Sequence, residues 1–138
     1  MVAFDRVREP ARILLACIRL FNGLAALVVP GVLARRLGID PAANPGALYV
    51  LRMFGVRTVL IGAELLMQKG DRLDDALRQA VLIHASDTLA AFLATLSSAF
   101  PKQGRVIVGI SAVNTLLALI ASRRGSRNLR AEFAARKR

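Results

Sequence analysis

Residues 48–67 read LYVLRMFGVRTVLIGAELLM, an apolar run with three charges, Arg52, Arg57 and Glu64, set inside it. Its length matches the roughly 20 residues that carry a helix across about 30 Å of hydrocarbon. Charge is expensive to bury unpaired, in lipid as in a protein core, so charged groups kept at such positions pair with one another and face a bundle interior. One helix cannot satisfy its own inward charges. This stretch therefore calls for neighbouring helices that carry complementary groups.

Three more apolar runs supply them, over 13–33, 77–100 and 106–121. Pro30 and Gly31 fall where the first can stop at little cost. The connections carry turn residues: Asp40-Pro41 and Asn44-Pro45-Gly46, then Lys69-Gly70-Asp71, then Pro101-Lys102-Gln103-Gly104. The expected fold is all-α, a four-transmembrane-helix bundle over residues 1–122 followed by a basic cytoplasmic C-terminal tail over 123–138. Composition agrees, with 55% apolar residues, a mean hydropathy of +0.49 and a net charge of +11 in one chain. Basic residues at the ends and in one loop, with lipid-suited runs between them, argue against a nucleic-acid partner. Arg19 interrupts the first run and no small-x-small site follows it, so that run reads as a retained helix rather than a cleaved leader. The lone Cys17 has no disulfide partner and reads as a packing residue.

Orientation follows from Lys and Arg. Arg6, Arg8 and Arg12 precede the first run, Lys69, Arg72 and Arg78 lie in the second connection, and seven more lie in the tail from Arg123. The opposite side holds Arg35, Arg36, Lys102 and Arg105. The expectation is a multi-pass protein of the cytoplasmic membrane with both termini inside. The tail, with Leu129 and Phe133 four apart among arginines, has the pattern of a short basic helix on an anionic leaflet, at roughly 1 kcal/mol per basic residue. A topology signal with a disordered end fits the same residues equally.

The inward polar groups share helix faces. Arg57 and Glu64 are seven apart, His84, Asp87 and Thr88 lie within one turn and a step, and Arg19 and Asn22 are three apart. At about 1.5 Å of rise per residue, Arg19 lies roughly 10 Å from the cytoplasmic boundary, Glu64 about 6 Å, His84 about 9 Å, Asp87 about 13 Å and Arg57 about 16 Å. The expected pairings are Arg19 or Arg57 with Asp87, and Glu64 with an arginine or with His84. Asn114 in the fourth run is a candidate donor to the same network. Arg52 lies near the outer end of its helix and can snorkel to headgroups. Interhelical polar contacts average only about 0.6 kcal/mol, and packing needs few of them. Three arginines, two acids and a histidine exceed that need and leave one positive charge in surplus if His84 is neutral. One histidine and no cysteine pair give no metal-ligand spacing, and no phosphate loop or nucleophile elbow implies a cofactor. Gly55 and Gly62, seven apart, form a smooth stripe for close helix contact, which could serve a partner as well as the fold.

The run Arg52-Met53-Phe54-Gly55-Val56-Arg57, followed by Leu60-Ile61-Gly62, resembles the opening of the second helix in small bacterial four-helix membrane proteins of the DoxX-like group. His84 and Asp87 in the third run and the upstream Gly38-Ile39 and Asn44-Pro45 turn fit the same pattern, which covers about residues 10 to 122. The resemblance implies a four-span bundle and no particular activity. With one cysteine, the chain cannot itself run the dithiol chemistry associated with DoxX proper.

The functional expectation is a small integral membrane accessory or binding protein. Arg19 and Arg57 would hold an anionic lipid group or steady a membrane-protein partner or second copy, with Glu64 and Asp87 holding the arginines. The alternative is a membrane-embedded acid–base enzyme, or a proton-coupled carrier, acting on a lipophilic substrate through Glu64, His84 and Asp87. His84 alone reads better as a satisfied partner between helices than as a proton shuttle.

Overall fold

The computed structural model describes residues 2–96 and 101–122, with side chains from residue 7 and, in the last helix, from residue 105. The expected basic tail over 123–138 and the end of the third run lie outside the described residues. Among the described residues five helices follow in order: α1 (Val2–Val28), α2 (Pro30–Arg36), α3 (Pro45–Met67), α4 (Gly70–Thr95) and α5 (Pro101–Ser122). Among the described residues there is no strand.

The helix ends follow local chemistry. Proline has no N–H to donate and pushes the residue before it out of the helical region, so α1 stops before Pro30, with Val29 at φ −127°. The same ring suits a first helical position, and α2 restarts on Pro30, which the sequence alone had only as a stop. α2 closes on Gly38 at φ 76°, with the Ile39 N–H donating to the Ala34 carbonyl at 2.9 Å. Pro45 opens α3 in the way Pro30 opens α2. Only Gln68 and Lys69, both extended, separate α3 from α4, and Gly70 takes φ 58° to complete the reversal. A Cβ on Gly70 would meet nothing within 4 Å, so conformation rather than space calls for glycine there.

α1 packs tightly along α3, and α4 along α5. The two pairs join mainly where α1 meets α5, while α3 and α4, neighbours in sequence, touch along a thin seam. Glycines set the α1–α3 distance. A Cβ on Gly23 would lie 2.8 Å from the Val59 amide nitrogen, and one on Gly55 would lie 2.8 Å from the Gly23 carbonyl oxygen. Gly62 continues the stripe against Ala16 and Leu20, so the smooth face of α3 serves the fold, facing α1.

The buried interior is made of small side chains. Ala11, Ala16, Ala26, Ala34, Ala80, Ala91, Ala118 and Ala121 are buried, joined by Leu15, Leu65 and Leu77. Large apolar residues lie outside instead: Phe21, Val28, Leu60, Leu82, Phe92, Val106 and Leu116 are all exposed. A water-soluble domain places these the other way round and seldom exposes apolar patches beyond a few hundred Å². Helices that meet in lipid use small residues at their contacts, because hydrocarbon already suits the large ones. Two helices are long and apolar enough to cross a membrane, through Val7–Val28 and Arg105–Ser122. α3 carries Arg52, Arg57 and Glu64 within its length, and α4 opens with Asp71, Arg72, Asp74, Asp75 and Arg78.

Candidate functional site

Among the described residues the buried polar ones are Arg19, Thr58, His84 and Asn114, one from each long helix. They lie above the apolar cluster of Leu15, Leu65, Leu77, Ala118 and their neighbours. Arg19 reaches from α1 to α4 and lays its guanidinium on the imidazole of His84, which is fully buried. Its Nε donates to His84 Nε2 at 3.1 Å, and its Nη2 contacts Nδ1. A guanidinium has only donors, so the ring nitrogen that accepts must carry a lone pair, as in a neutral imidazole.

Asp87, three residues on, lies on the same face of α4 and stands between two arginines. Its Oδ2 is 3.6 Å from Arg19 Nη2, and it accepts from Arg57 Nη2 at 3.0 Å through Oδ1 and 3.3 Å through Oδ2. Both arginine pairings expected of Asp87 are present at once. With His84 neutral, two guanidinium charges face one carboxylate and one positive charge is left over. That surplus is carried at the edge: the Arg19 side chain is 4% exposed, Asp87 28% and Arg57 53%.

Glu64 departs from the expectation. It is exposed and makes no hydrogen bond or ion pair with Arg57, Arg19 or His84. The reason is register. Setting Arg57 opposite Asp87 in an antiparallel pair brings residue 64 level with residue 80, and that residue is a buried alanine. The acid–base trio of Glu64, His84 and Asp87 is therefore not assembled. Asn22 is half-buried and Arg52 exposed, and neither joins the cluster. Thr88 bonds its own helix at the His84 carbonyl (2.7 Å) and meets Thr115 Oγ1 at 3.1 Å, pinning α4 to α5. Asn114 is buried, and its Oδ1 has no partner among the described residues. Thr58 Oγ1 is likewise unpartnered, a residue that the Gly55 and Gly62 stripe could have flagged through its spacing. Cys17 is exposed on α1 rather than packed inside. Among the described residues no three His, Cys, Asp or Glu side chains gather as metal ligands would.

A second set of contacts was hidden behind the charge count. Neither α3 nor α5 has a basic residue in its last turn, and the last carbonyls of a helix have no partner within it. α1 supplies both. Arg12 Nη1 donates to the Leu65 carbonyl at 2.5 Å, and Arg8 Nε donates to the Ala121 carbonyl at 2.9 Å. Arg8 also pairs with Asp74 at 2.6 Å. These arginines complement the negative helix ends and gather the start of α1, the α3–α4 turn and the end of α5 at one end of the bundle.

Compared with known proteins, the chain matches no family model, no curated protein and no solved structure.

Proposed function

We propose that the chain is a four-span integral membrane protein of the cytoplasmic membrane, with both termini inside, that binds an anionic group rather than catalysing a reaction. α1, α3, α4 and α5 are the spans in this reading, and the DoxX-like resemblance belongs to the same proposal. Small residues inside and large apolar residues outside support it, as does a bundle end that gathers Arg8, Arg12 and the α3–α4 turn. Paired charges on α3 and α4 lower the cost of placing those helices in lipid.

The observation that carries the binding role is the uneven ionic cluster, one carboxylate between two guanidinium groups with the outer arginine half-exposed. A network that served packing alone would be closed and neutral. The separation of Glu64 from His84 supports binding over acid–base chemistry. The test is native mass spectrometry of the protein extracted in mild detergent, as wild type and as Arg57→Gln. Retention of an anionic lipophile by the wild type, and its loss in the variant, is the expected result. Equal retention by both would refute the role of the cluster.

A further inference from the structure

We infer that the α3–α4 seam holds the carboxylate of a lipophilic acid with a single hydrocarbon chain, a free fatty acid by class, on the outer edge of Arg57. This rests on the proposed four-span reading and narrows its ligand. Three observations lead to it. The first is the donor set. A guanidinium carries five N–H groups. Arg57 commits only Nη2 to Asp87, and among the described residues Nε and Nη1 have no partner on a side chain that is 53% exposed. Nε and Nη1 face different edges of the guanidinium plane, so an incoming carboxylate takes a charge-assisted bond from Nη1 and leaves the Asp87 pair in place.

The second is depth. Arg57 lies about 18 Å along the helix from Pro45 and about 15 Å from Met67, at 1.5 Å per residue. It is therefore mid-span, and phospholipid phosphates stay outside a hydrocarbon core about 30 Å thick. A fatty acid can bring its head that deep, because its carboxyl enters hydrocarbon as the neutral acid; the neighbouring arginine favours the carboxylate, and the proton returns to the aqueous phase. The charge count agrees: one carboxylate brings the cluster to neutrality.

The third is the surface beside the site. Met53 and Leu60, four before and three after Arg57, share its face and are exposed, as is Val50 one turn beyond Met53. Glu64 stands on the other side, seven residues on, and sets a charge in the path of a hydrocarbon chain lying that way. The chain therefore runs past Met53 and Val50, away from the bundle end that carries Arg8 and Arg12.

The experiment uses the full chain in phosphatidylcholine nanodiscs with a doxyl-labelled stearic acid, read by electron spin resonance. The wild type should immobilise the label, oleate should release it, and methyl oleate and dioleoylphosphatidylglycerol should not. Arg57→Gln should weaken binding by about tenfold or more, with helicity retained, as expected for losing a charge-assisted pair. Met53→Trp, an exposed change that obstructs the chain path, should also weaken it while keeping Arg57. Release by phosphatidylglycerol but not by oleate would overturn the ligand class and leave the anion-binding reading standing. No immobilisation of the stearate label, and no retention of phosphatidylglycerol by the protein, would overturn both. Unchanged binding in both variants would overturn the site.

Discussion

Replacing Asp87 by Asn keeps the shape of the side chain and removes the charge between Arg19 and Arg57. At separations of 3.6 and 3.0 Å, each ion pair attracts by about 5 kcal/mol at an effective dielectric constant near 20, before desolvation is counted. Distance therefore does not rank the two pairs, and burial does. Arg57, 53% exposed, can turn away from the seam into the detergent shell once released. Arg19, 4% exposed and lodged against Gly62 and His84, cannot. Asp87→Asn should cost about 3 kcal/mol, the range for stranding a buried charge, nearly all of it through Arg19. A double-mutant cycle isolates that share. Arg19→Met combined with Asp87→Asn should show a coupling of about 2 kcal/mol, and Arg57→Gln with Asp87→Asn about 0.5 kcal/mol. Unfolding in mixed micelles of dodecyl maltoside and dodecyl sulfate, followed by circular dichroism, gives each free energy. A coupling for Arg57 equal to or larger than that for Arg19 would refute the reasoning, because the shorter contact would then have outweighed the buried one.

Other perturbations probe the packing and the exterior. Gly55→Ala drives a methyl group into the Gly23 carbonyl and the Leu27 amide nitrogen, backbone atoms that cannot turn aside, and should cost about 1–3 kcal/mol in the same titration. Gly109→Ala, with nothing within 4 Å of its new Cβ, should be neutral or stabilising. Arg12→Ala uncaps the end of α3 and should cost about 1–2 kcal/mol, whereas exposed Arg36→Ala should fall within about 0.5 kcal/mol of wild type. Cys17 offers a chemical test of the lipid shell, because a charged, water-soluble maleimide does not enter hydrocarbon. It should stay unlabelled in intact membranes and react once dodecyl sulfate unfolds the protein; rapid labelling in membranes would mean that this face meets water.

Much of this was legible in the chain because helices write their faces into the sequence. Apolar runs gave the long helices, prolines and glycines gave their ends, and the spacing of Gly55 and Gly62 gave a face for close helix contact, with α1 or a partner left open; the structure puts α1 there. The pairing of Asp87 with arginine followed from the cost of a lone charge. Periodicity, however, gives an angle around one helix and says nothing about what stands opposite at the same height. Glu64 shares a face with Arg57 and still finds no partner among the described residues, because the register puts an alanine across from it. Cys17 turns outward although both Ala16 and Arg19 beside it are buried. Arg8 and Arg12 counted correctly as basic residues at one end, but a count of charges does not reveal that each caps the carbonyl end of another helix.

The four-span arrangement is tested most directly by which sides of the membrane the two connections occupy. Among the described residues length and apolarity mark only α1 and α5 as spans, and with those two alone both connections would lie on one side. Single cysteines at Ala43, between α2 and α3, and at Lys69, between α3 and α4, would be placed in a Cys17→Ser background; both positions are exposed. An impermeant maleimide, applied to right-side-out and to inverted vesicles, reads the side of each. Four spans predict labelling of position 43 only from outside and of position 69 only from the cytoplasmic face. Labelling of both from the same face would contradict the four-span bundle and, with it, the membrane-embedded site at Arg57.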